Sequence, residues 1–340
     1  MAKYDRIDAV GLTIIIPVKD EEESIASCIA RLVPVLDGLD DGGDPLSWEI
    51  LFVDDGSADS TLAEIEQARL ADVRITAISL SRNFGKEAAL SAGLDYARGA
   101  AVIPLDVDLQ DPPEVIPRMI AKWREGFEVV YGVRSNRTSD SLSKRVTAGL
   151  YYRMHNRLSS DKIPEHAGDF RLLDRSVVEV LRRMPERNRF MKGLFAWTGY
   201  RQAAIPYDRA EREQGTSKFN YWKLWTLALD GLTSASTVPL RIWSYIGGAV
   251  ALLALFYAGF IIVRTMVSGV DVPGYASLMV AILFLGGLQL LSLGILGEYV
   301  GRILHESKQR PLYLVRETIG VPSPHPLPGS GHSPWGPVSR

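Results

Sequence analysis

Two long runs without a charged residue dominate the second half of this sequence. They extend from Ile242 to Val263 and from Val272 to Leu296. Each is longer than the roughly 20 residues that an α-helix needs to cross the hydrocarbon core of a bilayer. Backbone N–H and C=O groups in lipid find no partner except one another, so spanning segments are helices or closed barrels. We expect two transmembrane helices within residues 241–304; the alternative is a pair of buried core helices.

The charged residues that flank these runs predict their orientation. Positive residues precede the first run and follow the second: Arg241, and then Arg302, Lys308, Arg310 and Arg316. The connecting loop carries only Arg264 against Asp271. Because Lys and Arg concentrate on the cytoplasmic side, we expect a multi-pass protein of the inner membrane with its N-terminal domain and C-terminus in the cytoplasm. The single cysteine, Cys28, fits that reducing compartment.

The segments on either side of the spans have different compositions. Residues 216–240 carry a broad apolar face made of Tyr221, Trp222, Leu224, Trp225 and Leu229. We expect an amphipathic helix that lies in the membrane interface. The alternative is that this helix packs against the N-terminal domain or against a partner subunit. Residues 305–340 are expected to form a cytoplasmic tail. From about residue 321 this tail is rich in Pro, Gly and Ser and should be disordered.

Residues 1–215 alternate between strand-like and helix-like segments. Strands are expected at Leu12–Pro17, Trp48–Val53, Ile75–Leu80, Ala101–Leu105 and Val129–Val133. Helices are expected at Glu21–Leu36, at Ser60–Ala71, from about residue 86 to residue 98, and after Pro113. This alternation predicts an α/β domain with a mostly parallel sheet and helices on both faces. The net charge of −2 gives no basic field for a nucleic acid.

Acidic residues follow the fourth predicted strand. Asp106 and Asp108 are two residues apart, so on an extended backbone both point the same way. Two neighbouring carboxylates suit a hard divalent cation that also binds substrate phosphates. The alternative is an acidic turn in which Asp111 caps a helix beginning near Pro112. The turn after the first strand lacks glycine, which argues against a dinucleotide site, and the sequence has no phosphate-binding P-loop.

Together these motifs resemble the family 2 glycosyltransferases of the GT-A fold. The resemblance rests on Pro17-Val-Lys-Asp-Glu21, Val53-Asp-Asp-Gly-Ser57 and Asp106-x-Asp108-Leu-Gln110. In the second half, the segments Gly168-Asp-Phe-Arg-Leu172, Arg212-Glu-Gln-Gly-Thr-Ser-Lys218-Phe219 and Gly297-Glu-Tyr-Val-Gly-Arg302 resemble the narrower group of polyisoprenyl-phosphate glycosyltransferases. That group includes dolichol-phosphate mannose synthase and bacterial transferases that act on undecaprenyl phosphate. The resemblance covers about residues 12–315.

The resemblance implies a nucleotide-sugar donor, a polyprenyl phosphate acceptor and a divalent cofactor, Mg²⁺ or Mn²⁺. Nucleotide-binding residues would be Pro17, Glu21, Asp55, Arg82 and Lys86. Catalytic residues would be Asp106, Asp108 and Asp169, with the metal held by Asp108 and Gln110 and reached by Asp106 through water. The sequence has Lys19-Asp20 where many relatives have Tyr-Asn, so contacts to the base could differ there.

The reaction would bring two phosphates together, which requires cations to offset their repulsion. The candidates are Arg134, Arg137, Arg212 and Lys218, each of which could instead be a solvated surface charge. The resemblance also suggests a homo-tetramer, with close helix contacts at Gly286, Gly287 and Gly294.

The expected function is inverting transfer of one sugar from a nucleotide diphosphate sugar to undecaprenyl phosphate at the cytoplasmic membrane face. UDP-glucose is the preferred donor. UDP-galacturonate, UDP-N-acetylglucosamine, a UDP-aminoarabinose derivative and GDP-mannose remain alternatives. Two alternatives of other kinds are a processive polysaccharide synthase, which usually has a Gln-x-x-Arg-Trp segment that this sequence lacks, and a catalytically silent membrane scaffold.

Overall fold

A computed structural model describes residues 10–41, 43–134, 167–184, 186, 189, 191–208 and 274–321, with isolated residues between 247 and 267. These residues form two compact units. The first, which we call the head, contains the described residues between 10 and 208 together with residues 310–321, and the second contains the described residues between 247 and 309. The amphipathic segment 216–240 and the residues beyond 321 lie outside the described part of the chain.

The head is built on an eight-stranded, mixed sheet. Its strands are β1 (Leu12–Val18), β4 (Trp48–Asp54), β5 (Ile75–Leu80), β6 (Ala101–Pro104), β7 (Val129–Arg134), β8 (Ala167–Asp174), β9 (Gln202–Tyr207) and β10 (Val315–Ile319). Their order across the sheet is β10-β5-β4-β1-β6-β8-β7-β9. A separate two-stranded hairpin comprises β2 (Asp40–Asp41) and β3 (Asp44–Pro45).

The strand pairings are mostly parallel, as the alternation predicted. β1 pairs in parallel with β4 and β6, β4 with β5, and β7 with β9. Antiparallel pairs join β8 to β6 and β7, and β10 to β5. The five predicted strands are confirmed within one residue at their ends, whereas β8, β9 and β10 were not anticipated.

Helices cover the sheet and bury its strands. They are α1 (Glu22–Asp37), α2 (Thr61–Ala71), α3 (Lys86–Tyr96), α4 (Ile116–Arg124), α5 (Arg175–Arg183) and α6 (Met191–Trp197). Every residue of β4 and β5 is buried, because both faces of these central strands are covered. One core includes Ile14 and Phe52, and the other includes Ile15 and Leu51, so alternate residues of one strand serve opposite faces of the sheet.

The second unit contains α7 (Tyr275–Ser307), which overlaps the second uncharged run. Within the described residues this is the one helix that is long and apolar enough to cross a membrane, with its most apolar window at Phe284–Gly301. Its large apolar side chains are exposed, among them Leu290 and Ile303. The described residues between 247 and 267, within and just after the first run, are also helical. Because these apolar side chains are exposed, the described residues do not fit the alternative of two buried core helices.

Candidate active site

The candidate site lies at the carboxyl ends of β1, β4 and β6, where open α/β sheets bind their ligands. A cavity of about 250 Å³ opens there. It is lined by Pro17, Val18, Lys19, Glu21, Asp55, Lys86, Ala89, Asp106, Val107 and Asp108. Six of the residues singled out from the sequence thus lie around one cavity, although they come from four separate segments of the chain.

Asp55 lies at the end of β4 and is held by the loop after β5. Its two carboxylate oxygens accept hydrogen bonds from the backbone N–H groups of Phe84 (2.7 Å) and Gly85 (2.9 Å). Each carboxylate oxygen can accept a second hydrogen bond, so these contacts orient Asp55 and leave it capable of binding a ligand. Burial raises the pKa of the Asp55 carboxyl, and the two N–H groups oppose that effect.

The turn after β4 is fixed by its own polar residues. Asp54 accepts hydrogen bonds from the Ser57 N–H (2.8 Å) and from the Ser79 hydroxyl (2.7 Å). Gly56 has a φ of 68°, and a Cβ atom there would lie 2.6 Å from the carbonyl carbon of Arg82. Only glycine therefore allows this turn to approach the neighbouring loop so closely. Lys19, which the resemblance marked as a departure, donates to the Gly56 carbonyl at 2.9 Å.

Asp106 and Asp108 both line the cavity, but not for the reason inferred from the sequence. β6 ends at Pro104, and residues 106–111 form a turn in which Leu109 has a φ of 47°. The two carboxylates therefore meet through this turn and not through strand alternation. The Leu109 N–H donates to the Asp106 carbonyl at 3.1 Å, which closes the turn.

Asp111 does not cap a helix. The short 3₁₀ helix Pro113–Val115 has Pro112 at its N-cap and no side-chain capping bond. Asp111 is instead buried and accepts a hydrogen bond from the hydroxyl of Tyr207, the last residue of β9. The Tyr207 ring packs edge-on against Phe170, with 5.8 Å between the ring centroids. Sequence reasoning missed Tyr207, since no local pattern links it to a turn almost 100 residues earlier.

Lys86, at the start of α3, lines the cavity together with the other lysine, Lys19. The Lys86 ammonium group lies 2.6 Å from a carboxylate oxygen of Asp106, and both side chains are about half exposed. The pair contributes little to stability in such exposure, since surface ion pairs are worth about 0–1 kcal/mol. Its position suits an anion, because a helix N-terminus adds further positive potential.

Arg82 lies outside the cavity lining. Its guanidinium stacks over the Phe84 ring at 4.2 Å and donates to the Asn83 carbonyl at 3.0 Å. Arg82 thus belongs to the loop that holds Asp55, and its part in nucleotide binding stays a prediction.

The residues present can hold a divalent cation when substrate phosphates complete its shell. The described residues contain no cluster of three or more His, Cys, Asp or Glu side chains placed for a metal. Asp108 and Gln110 are adjacent, with the Gln110 amide nitrogen donating to an Asp108 oxygen at 2.7 Å. This bond holds the amide group beside the Asp108 carboxylate. Mg²⁺ typically takes one or two carboxylates and fills the remaining positions with phosphate and water.

The remaining predicted residues are only partly placed. Arg134 ends β7 and pairs in register with Tyr207 of β9, and Asp169 lies within β8. Only the backbone positions of these two residues are described. Arg137, Arg212 and Lys218 lie outside the described residues.

Comparison with known proteins agrees with this architecture. Residues 13–182 match the sequence model of glycosyl transferase family 2, and residues 238–303 match the GtrB C-terminal hairpin. The chain therefore belongs to glycosyl transferase family 2, and it is a glycosyltransferase. The family resemblance inferred from the motifs is confirmed.

Individual relatives extend over nearly the whole chain. An uncharacterized glycosyltransferase of Synechocystis sp. is 52% identical over 92% of this chain and 96% of its own length. The bactoprenol glucosyl transferase of Shigella phage SfV is 50% identical over 90% of this chain and 98% of its own. The prophage bactoprenol glucosyl transferase homolog of Escherichia coli is 48% identical, with the same two shares covered.

Proposed function

We propose that the protein transfers one glucose from UDP-glucose to undecaprenyl (bactoprenyl) phosphate at the cytoplasmic face of the membrane. The observation that carries the proposal is the cavity in which Asp55, Lys86, Asp106 and Asp108 converge. Relatives named bactoprenol glucosyl transferases match over 90% of the chain at about half identity, which favours glucose and this lipid over the other donors and acceptors.

The cavity offers one end for a nucleotide and another for phosphates. Asp55, with Pro17 and Glu21 nearby, would bind the base, and the loop after β5 with Arg82 would border the nucleotide. Lys86 would exchange its contact with Asp106 for one with the donor diphosphate, because both partners are half exposed and the pair is weak.

A divalent cation, Mg²⁺ or Mn²⁺, would be held by Asp108 and Gln110, with Asp106 reaching it through water. When bound, it would stabilise the negative charge that develops on the leaving diphosphate. Asp108 is exposed in the cavity, whereas the Gln110 side chain is buried and hydrogen-bonded to it. Gln110 would therefore fix the direction of the Asp108 carboxylate as well as contribute its own amide oxygen.

The acceptor would attack the sugar directly. A phosphate monoester is already anionic near neutral pH, so it needs little help from a general base. Direct attack inverts the anomeric carbon and gives a β-linked lipid product from an α-linked donor. Arg134, Arg137, Arg212 and Lys218 would bind the acceptor phosphate, and Asp169 would position the acceptor or the sugar, or act as a base.

The membrane arrangement is proposed to have two spans. β10 belongs to the same sheet as β1 and β5, so the chain after α7 returns to the head. This return supports an even number of crossings. With α7 as one crossing, the uncharged run from Ile242 to Val263 supplies the other. The proposed order along the chain is the catalytic domain (residues 1–215), the interfacial helix (216–240), the two spans (241–304) and the tail (305–340).

A homo-tetramer is proposed as well. Added Cβ atoms at Gly286, Gly287 and Gly294 would meet nothing within 4 Å in the described chain. These small residues on α7 are therefore open to close contact with helices of other copies.

Radiolabelled sugar incorporation into extractable lipid tests the function. Membranes containing the protein are incubated with undecaprenyl phosphate and each of the labelled donors, with added Mg²⁺, with Mn²⁺, or with a chelator. We expect a labelled lipid from UDP-glucose that requires the metal, and NMR of the isolated lipid should show a β-linkage. A labelled polymer would indicate a processive synthase. The absence of lipid-linked product with every donor would refute the proposal.

A further inference from the structure

The chain after α7 returns to the head and extends its sheet. We call residues 310–321 the C-terminal strap. Its strand β10 pairs antiparallel with β5 at one edge of the sheet, with Val315 opposite Leu80 and Glu317 opposite Ser79. The strap therefore lies beside the carboxyl end of β5, where the loop of residues 81–86 begins.

The strap binds both backbone polar groups of Ser81, the first residue of that loop. The Ser81 N–H donates to the Leu314 carbonyl at 2.8 Å. The Arg316 guanidinium donates to the Ser81 carbonyl at 2.9 Å. The start of the loop is thus fixed by residues more than 200 positions away in the sequence.

A second contact anchors the strap to the helix that follows the loop. The Tyr313 hydroxyl donates to a carboxylate oxygen of Asp95, near the end of α3, at 2.7 Å. Asp95 also lies 3.5 Å from the Arg182 guanidinium on α5. The rings and methyl groups of Tyr313, Val315 and Val321 pack against the core that contains Leu80. The strap is therefore attached to the strand before the loop and to the helix after it.

The loop between these anchors carries two contacts of the candidate site. Phe84 and Gly85 donate their N–H groups to Asp55, and Lys86 pairs with Asp106. Gly85 has a φ of 96°, which glycine adopts without strain, and glycine also has more conformational freedom to lose than any other residue. Contacts that hold this loop therefore restrict a segment that is otherwise free to change conformation. A loop held in its binding conformation loses less entropy when a ligand binds.

We propose that the C-terminal strap positions the loop of residues 81–86 for donor binding, and that Arg316 is a positioning residue that acts through Ser81. The proposal rests on the proposed nucleotide site. The alternative is that the strap only covers the edge of β5. In that role it would protect the head from aggregation and would have no effect on ligand binding. Arg316 lines no part of the cavity, so its effect on donor binding would pass through the loop.

The test compares two neighbouring substitutions in the full-length protein in detergent. Arg316→Ala removes the donor to Ser81, and Glu317→Ala, a change of an exposed residue on the same strand, is the matched control. Hydrogen exchange of the peptide covering residues 81–86 reports on the Phe84 and Gly85 amides. We expect several-fold faster exchange in Arg316→Ala than in Glu317→Ala, and partial recovery in Arg316→Lys, which keeps a donor at that position.

A second measurement is the affinity for UDP, by calorimetry. We expect several-fold weaker binding in Arg316→Ala, an unchanged value in Glu317→Ala, and an unchanged KM for undecaprenyl phosphate in both. Equal exchange and equal UDP affinity in the two variants would overturn the strap proposal. The exchange measurement needs no ligand, so faster exchange in Arg316→Ala would support the positioning of the loop by the strap whatever the affinity for UDP. If the wild-type protein failed to bind UDP, that result would count against the proposed function alone.

Discussion

The hydrogen bond between Tyr207 and Asp111 links the end of β9 to the turn that presents Asp106 and Asp108. Tyr207 is 4% exposed and Asp111 is 7% exposed, so water replaces this bond poorly if it is lost. Tyr207→Phe removes the hydroxyl while keeping the ring that packs against Phe170. The substitution therefore removes this bond and keeps the ring contact with Phe170.

The expected loss follows from the nature of the bond. Hydrogen bonds to charged groups contribute about 1.5–3 kcal/mol to stability. Such a loss raises the equilibrium constant for unfolding roughly 10- to 150-fold. For a domain of about 150–250 residues it lowers the midpoint of thermal unfolding by about 3–12 °C.

Thermal unfolding of the full-length protein in detergent, followed by tryptophan fluorescence, measures this loss. Tyr200→Phe is the matched control, because the Tyr200 hydroxyl donates to the Ser176 carbonyl over a long 3.4 Å and should contribute below about 0.5 kcal/mol. Sugar transfer should fall in Tyr207→Phe, since the turn loses a fixed end, and should be retained in Tyr200→Phe. A midpoint for Tyr207→Phe no lower than that of Tyr200→Phe would refute the reasoning.

Three further predictions concern the proposed donor site. Asp108→Asn should abolish sugar transfer, measured as labelled lipid, and should retain membrane insertion. The control Asp44→Asn, on the exposed hairpin, should transfer at the wild-type rate. Wild-type turnover by Asp108→Asn would contradict the metal assignment. UDP affinity should begin to fall on acidification at a pH above the ordinary Asp value of 3.8, because burial raises the pKa of Asp55, and calorimetry across pH measures the midpoint. The raised pKa also means that ionising Asp55 costs stability as the pH rises through that pKa. Asp55→Asn should therefore reduce stability less at neutral pH than at acid pH; a larger loss at neutral pH would contradict the assigned shift.

The sequence by itself determined the central strands and the positions of most cavity residues. β1, β4 and β5 are short apolar runs that end at polar or turn-forming residues, and such local patterns predict a strand and its end without knowledge of its partners. Parallel strands place their carboxyl ends along one edge, so Pro17, Asp55 and Asp106 could be brought together from the sequence. The apolar composition that predicted α7 is likewise a local property.

Only the tertiary structure decided how distant segments complete the site. The bond from Tyr207 to Asp111 and the pairing of β10 with β5 each depend on residues far apart in the chain. Val315–Ile319 has apolar residues only at its two ends and three polar residues between them, and nothing in that pattern identifies the edge of β5 as its partner. A strand's periodicity specifies which face it buries, whereas its neighbour is selected by the free energy of the whole sheet. The contact of the C-terminal strap with the loop of residues 81–86 is therefore a property of the fold.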